Sequence, residues 1–347
     1  CARIVQANRL DLSRFQFDYD LTFAIFFMNA DGTIYGRYGT RSSQDKAEKH
    51  MSAVGLIESM RKALTIHEGY PKNKSLLDGK QAKPTKFKTP NDFPSLRGKY
   101  RPTINYKNNT SRSCLHCHQI NDAHRVIYRN AGKPIPDELM FIYPMPRVMG
   151  LPLEAESAST VTKVESGSAA DKAGIKSGDE LKTLGGQAIL STADVQWVLH
   201  HAKSEDSLKA TVERDGKEIE ATIKLEDGWR RKTDIAWRVS SWPLRRMGLG
   251  GLRLEEMTAQ EIRRAGLTSD QLALRIQGMG RYGPHATARR SGFKEGDIIV
   301  SFNGHTKAKT RSTFLALVTQ TTKPGQRSEV VVLRRGRRVT LRLLQQR

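Results

Sequence analysis

The phrase Ala170-Asp171-Lys172-Ala173-Gly174-Ile175-Lys176-Ser177-Gly178-Asp179 constrains the fold of this chain most, because it returns within Ala286–Asp297 with one extra replacement. The two Gly-Asp pairs stand 118 residues apart. Each is followed by an apolar strand, a glycine turn (Gly185-Gly186; Asn303-Gly304), a helix and a closing hairpin. The spacing predicts helices over about Thr192–His200 and Ser312–Thr319. It predicts hairpins over Ala210–Leu225, turning at Asp215-Gly216, and over Val330–Leu343, turning at Arg335-Gly336. Two tandem copies of one small α+β domain account for this better than chance.

The repeated A-x-x-A-G-Φ-x-x-G-D phrase (Φ apolar) resembles that of bacterial PDZ domains. The resemblance implies two PDZ domains, each a small β-barrel or sandwich with helices, at 148–227 and 244–347, with a linker at 228–243. It also implies partners: C-terminal or extended peptides that add as a strand beside a short helix. A Gly-apolar loop would hold the terminal carboxylate through oriented backbone N–H groups. In the second copy the matching loop is Gly251-Leu252-Arg253-Leu254, with Thr313 and Leu317 facing the groove from the helix. In the first copy it is Gly150-Leu151-Pro152-Leu153, with Thr192 and Val195 on the helix; Pro152 lacks an N–H, so one donor is missing. PDZ pairs often follow a serine protease domain. No Gly-x-Ser-Gly-Gly phrase or triad context occurs, and the N-terminal portion shows no array of barrel strands, so a serine protease is not expected.

Upstream, the apolar run Phe23–Met28 reads as a strand, Asp31-Gly32 as a hairpin turn and Thr33–Tyr38 as the return strand. Ser42 and Ser43 can cap a helix running to about His67, whose apolar positions Ala47, Met51, Val54, Ile57, Met60 and Leu64 recur every three or four residues. This order resembles the later half of a thioredoxin fold. With the repeats, the chain resembles the bacterial thioredoxin-like/PDZ (seleno)protein family. The fold expected is therefore multidomain α+β, with a partial, N-terminally incomplete thioredoxin-like α/β unit at 1–70. The resemblance implies a catalytic role for Cys1, about where the second member of a redox pair would fall. Cys1 also reads as the lipidated first residue of a mature lipoprotein, or as an incidental cysteine. Lipidation, or residues upstream of Cys1, would be the routes to a membrane.

Between these parts lies a basic, loop-rich segment, 71–147, that carries Cys114-Leu115-His116-Cys117-His118. C-x-x-C-H is an attachment site for haem c: Cys114 and Cys117 would form the thioethers and His118 would bind the iron. Met145 or Met140 would supply the opposite ligand, and the basic Gly79–Ser113 stretch could neutralise the propionates or be a solvated linker. The alternative cofactor is zinc, held by Cys114, Cys117, His118 and His124. A bare dithiol or a disulfide is a further reading.

Charge is strongly positive, 58 Lys+Arg against 36 Asp+Glu for a net +22. No zinc-finger framework, RNA-binding aromatic motif or heptad-bearing basic helix accompanies it, so nucleic acid is not expected as a partner. No apolar run approaches the roughly 18–20 residues that span a bilayer. The expectation is a periplasmic or otherwise extracytoplasmic redox or electron-transfer protein with haem c, docked by its PDZ domains to an unidentified redox partner. One alternative is a non-catalytic PDZ adaptor with zinc or a disulfide at CLHCH. Another is a thiol or selenol oxidoreductase using Cys1 and an upstream residue.

Overall fold

The computed structural model describes residues 1–43, 48–107 and 110–347. In chain order, β1 (Ile25–Met28) and β2 (Ile34–Tyr38) precede α1 (Ala53–Gly69), α2 (Thr110–Ser113), α3 (His118–Asn130), α4 (Asp137–Met140) and α5 (Ala169–Lys172). Then come β3 (Glu180–Leu184), β4 (Gln187–Ala188), α6 (Thr192–His201), β5 (Asp206–Arg214) and β6 (Lys217–Leu225). The remainder is α7 (Ser241–Leu249), β7 (Leu252–Glu256), α8 (Ala259–Arg264), β8 (Leu274–Met279), α9 (Thr287–Arg290), β9 (Ile298–Phe302), α10 (Arg311–Thr321), β10 (Arg327–Arg334) and β11 (Arg337–Leu344). The chain divides into two compact units, Cys1–Cys117 with Phe141–Trp237, and His118–Met140 with Arg238–Arg347.

In the first unit a four-stranded sheet of order β4-β3-β5-β6 covers a core that includes Leu151, Leu153, Val161, Leu181, Val195 and Trp229. In the second unit a five-stranded sheet runs β11-β10-β9-β8-β7. The predicted helices and hairpins are present in both copies. The repeated Gly-Asp has one structural job in each. Arg214 donates from Nε and Nη2 to the two Asp179 carboxylate oxygens, at 2.7 Å each, and from Nη2 to Gly174 O. Arg334 does the same to Asp297, again at 2.7 Å twice, and to Gly292 O. The Lys176 and Lys294 N–H groups cap the same carboxylates. Each aspartate thus pins the turn after the short helix to the end of the first hairpin strand. For Asp179, burial raises the carboxyl pKa, but the Arg214 and Lys176 hydrogen bonds outweigh it and hold the group below its ordinary value.

The N-terminal segment departs from expectation. Its sheet contains only β1 and β2, and a thioredoxin-like unit is not shown. The helix starts at Ala53, where the Ser52 hydroxyl accepts from Gly55 N, rather than at Ser42. Ala47 lies outside the described residues. The apolar stripe Val54, Ile57, Met60 and Leu64 points outward, 48–61% exposed, while Gly55, Ser59 and Ala63 form the buried face. Backbone approach decides this: a Cβ on Gly55 would stand 2.0 Å from Ala155 O. Ser59 donates to Leu190 O at 3.0 Å on the same face. Small residues let α1 lie directly on the first copy of the repeat, and larger apolar ones would hold it off. The basic segment is not simply a solvated linker either. Lys80 is fully buried and pairs with Asp194 at 2.8 Å, and Gly79 O accepts from Trp197 Nε1.

Candidate functional site

In the second copy, α7 ends at Leu249 and the chain turns through Gly250 (φ 59°) and Gly251 (φ 91°). A Cβ on Gly251 would stand 2.0 Å from His285 O, so both the backbone conformation and the space require glycine. The turn lies one step upstream of the predicted loop: Leu252, Arg253 and Leu254 already belong to β7. Gly250 N and Gly251 N both donate to Arg245 O, so the end of α7 consumes the two N–H groups of the turn.

β7 is the edge strand of its sheet and pairs with β8. An edge strand presents alternate N–H and C=O groups that can pair with an added strand. Its neighbour is α10, where Thr313 and Leu317 stand four residues apart, both half-buried. Glu256 Oε1 accepts from Arg311 N at 3.1 Å and joins the end of β7 to the start of α10. The structure therefore places the predicted residues Gly251, Leu252, Arg253 and Leu254 on or beside the edge strand β7, and Thr313 and Leu317 on the helix that contacts it.

Three arginines, Arg245, Arg253 and Arg311, lie on α7, β7 and α10. Arg253 is exposed, and its guanidinium lies so close over Gly278 that a Cβ there would be 2.8 Å from Nη2. Arg245 lies over the Trp242 ring, 5.2 Å from its centroid. Burial, and then the charges of Arg253 and Arg311, push Arg245 down to about 10.

The first copy has the same scaffold and a different groove. Where β7 and β8 would stand there are only the single bridges Leu153↔Val161 and Thr160↔Glu180. The loop is also committed: Gly150 N donates to Arg147 O, Leu151 N donates to Pro146 O, and Pro152 has no N–H. The groove side is occupied by the chain's own N-terminal segment. Ser52 Oγ donates to Ala155 O on the strand side, and Thr40 Oγ1 donates to Gln196 Oε1 on α6. Tyr38 joins the two, donating to Ser52 O at 2.7 Å and accepting from Ser52 N, and Thr40 N donates to Met51 Sδ. Along α6, Ser191 Oγ donates to Arg37 O, and Arg37 N to Asp194 Oδ1. Thr192 and Val195 are buried, Val195 within the core.

The two cysteines of CLHCH, Cys114 and Cys117, are half-buried free thiols, and Cys1 is an exposed free thiol. The fully buried Asn8 shapes the stretch, accepting from Leu115 N and donating to Arg101 O and Ser113 O. Burial, and then Cys114, push the Cys117 thiol up. His118 opens α3, with Nδ1 3.3 Å from Asp122 Oδ2. Met140 is fully buried with Thr319 Oγ1 3.8 Å from its sulfur, and the Met145 sulfur accepts from Thr40 Oγ1. His124 is pushed down to about 4 by burial and then by Arg125. Among the described residues no three His, Cys, Asp or Glu side chains gather to hold a metal ion.

The PDZ domain family pattern matches residues 148–225. Those residues are a PDZ domain. A probable periplasmic serine endoprotease, DegP-like, of Marinomonas sp. (strain MWYL1) is 26% identical over 184 residues, 53% of this chain and 36% of that protein. A probable periplasmic serine protease, do/HhoA-like, of Haemophilus influenzae is 28% identical over 151 residues, 44% of this chain and 28% of its own. The chain thus spans about a third of the length of these curated relatives. Among solved structures, the HtrA-type protease AlgW with decapeptide matches at TM-score 0.26 and 18% identity, over 48% of this chain and 54% of that one.

These matches correct the family expectation: the similarity is to HtrA/DegP-like serine proteases, not to thioredoxin-like/PDZ (seleno)proteins. They overturn the reading as a redox or electron-transfer protein and the thiol-oxidoreductase role given to Cys1. They also overturn the exclusion of a serine-protease relationship, since the relatives are HtrA-type serine proteases. Those relatives are periplasmic, and among the described residues no helix is long and apolar enough to cross a membrane.

Proposed function

We propose that this chain is an HtrA-like periplasmic protein of the serine-protease lineage whose second PDZ domain, 244–347, captures C-terminal or extended polypeptide segments. Its first PDZ domain, 148–227, serves as scaffold. The observation that carries this is the contrast at the groove: β7 is an edge strand beside α10, whereas the corresponding position in the first copy is bonded to the chain's own Ser52. A peptide adding to β7 gains main-chain hydrogen bonds, and its alternate side chains meet Thr313 and Leu317. The HtrA-type relatives support peptide recognition in the service of proteolysis.

The test is fluorescence anisotropy with the full chain and a ten-residue peptide ending in an apolar residue. Saturable binding is expected, weakened at least about tenfold when alternate peptide nitrogens are methylated, because each lost ladder bond removes on the order of 1 kcal/mol. Equal binding of the methylated peptide would contradict strand addition.

A further inference from the structure

We propose that the edge strand of the second copy takes internal segments of extended polypeptide and makes no use of a free C-terminal carboxylate. The inference rests on the peptide-binding reading above and names its substrate class.

Backbone amides hold an anion when successive N–H groups converge on it. The turn before β7 directs its amides elsewhere. Gly250 N and Gly251 N both donate to Arg245 O, the second at 3.1 Å, so the pair points back at the end of α7. Residues 285–288 pack on the same turn: Ala288 N donates to Gly250 O at 3.0 Å, and a Cβ on Gly251 would stand 2.0 Å from His285 O. The first copy commits the matching positions in the same way. Gly150 N donates to Arg147 O, Leu151 N donates to Pro146 O, and Pro152 has no N–H. In both copies the turn's amides thus serve the helical turn that precedes it.

The outer edge of β7 is arranged differently. Gly280 N donates to Gly251 O, so Leu252 and Met279 form a non-hydrogen-bonded pair, and the Leu252 N–H and C=O face away from β8. Leu254 lies opposite Ile276, which donates to Asp297 O and accepts from Gly296 N. The backbone groups of Ile276 are therefore turned away from β7, and those of Leu254 again face outward. The edge repeats a donor and an acceptor at every second residue, which is the pattern that pairs with an added strand. The single outward amide of Leu252 is satisfied equally by a peptide carbonyl or by a carboxylate oxygen, so the ladder does not favour a chain end. A carboxylate at the turn would lose water without successive donors to replace it, and that costs free energy.

The experiment uses the full chain and one labelled decapeptide ending in an apolar residue. The peptide is prepared as the free acid, as the C-terminal amide, and with a short Gly-Ser extension after the apolar residue. Fluorescence anisotropy at high salt reads the affinities, because salt screens the long-range pull of the net +22 on the extra negative charge of the acid. The three peptides are expected to bind within about threefold of one another. Hydrogen–deuterium exchange should show each of them protecting Leu252–Glu256. A cradle of charge-assisted bonds to the carboxylate would instead favour the acid by about tenfold or more. A loss of more than about threefold on amidation would overturn the inference while leaving peptide binding intact. So would failure of the extended peptide alone, since the chain could then not run on past Gly251. Equal affinities with protection away from β7 would overturn it too. Absence of binding by all three would overturn the peptide-binding reading itself, and this inference with it.

Discussion

The two copies of the repeat share the Gly-Asp phrase, the Asp–Arg clamp at 2.7 Å and the strand-turn-helix-hairpin order, yet they present different edges. In the second, residues 257–273 separate β7 from β8, which leaves room for an extended edge strand. In the first, the chain turns back between Leu153 and Val161 within a tight loop, where Glu154 N donates to Thr160 O, and the potential edge meets α1. The repeated phrase specifies the scaffold. The loop next to it, and whatever packs on that loop, decide whether the scaffold can bind.

Four perturbations break or sharpen this contrast. The largest effect is expected from Gly251→Val, which places a Cβ 2.0 Å from a backbone oxygen at φ 91°. It should cost more than about 3 kcal/mol and abolish peptide binding. Denaturant titration with a binding assay reads both, and a variant that retains binding would remove the turn from the account.

Next come Asp179→Asn and Asp297→Asn, one clamp in each copy. Each buried carboxylate faces an arginine in a two-point bond, so each change should cost roughly 2–4 kcal/mol. A marked inequality would mean the copies do not share this element energetically. The pH dependence has a definite sign for Asp179. Because its folded pKa is depressed, its stabilisation is present above the ordinary carboxylate range and is lost as pH falls through the depressed value. Acid unfolding of Asp179→Asn should therefore be shallower than that of the parent chain.

The plug in the first groove should yield less. Thr40→Ala and Ser52→Ala each remove hydrogen bonds to that copy and should cost about 1 kcal/mol apiece. Amide exchange at 150–155 should quicken, with β7 unchanged. The smallest effect belongs to Val54, Ile57 and Leu64: changed singly to Gln, each should stay within about 0.5 kcal/mol, because they face solvent. A core-like loss of 2–4 kcal/mol would place α1 the other way round.

Local chemistry made part of this legible in the sequence. Asp31-Gly32, Asp215-Gly216 and Arg335-Gly336 marked the hairpins, and the repeated phrase marked the PDZ scaffold. The place of Thr313 and Leu317 on the helix next to the edge strand followed from that pattern. The orientation of α1 did not, since periodicity identifies an apolar stripe but not the partner that wins the helix. Here the close fit of Gly55, Ser59 and Ala63 prevails over Val54, Ile57 and Leu64. The plugged first groove was also illegible, because Ser52 and Ala155 are 103 residues apart and neither is distinctive alone. At CLHCH the short motif suggests haem, while the half-burial of Cys117 and the full burial of Met140 are set by segments outside it. Lys80, read as part of a basic stretch, is buried because Asp194 in the first PDZ copy receives it.

The central claim is that one groove of the two takes peptide. Hydrogen–deuterium exchange of the full chain, with and without a saturating decapeptide that ends in an apolar residue, tests it directly. The account predicts new protection over Leu252–Glu256 and Arg311–Thr321, and none over 150–155 or Thr192–His201. Protection centred on the first copy, or none at β7, would contradict it.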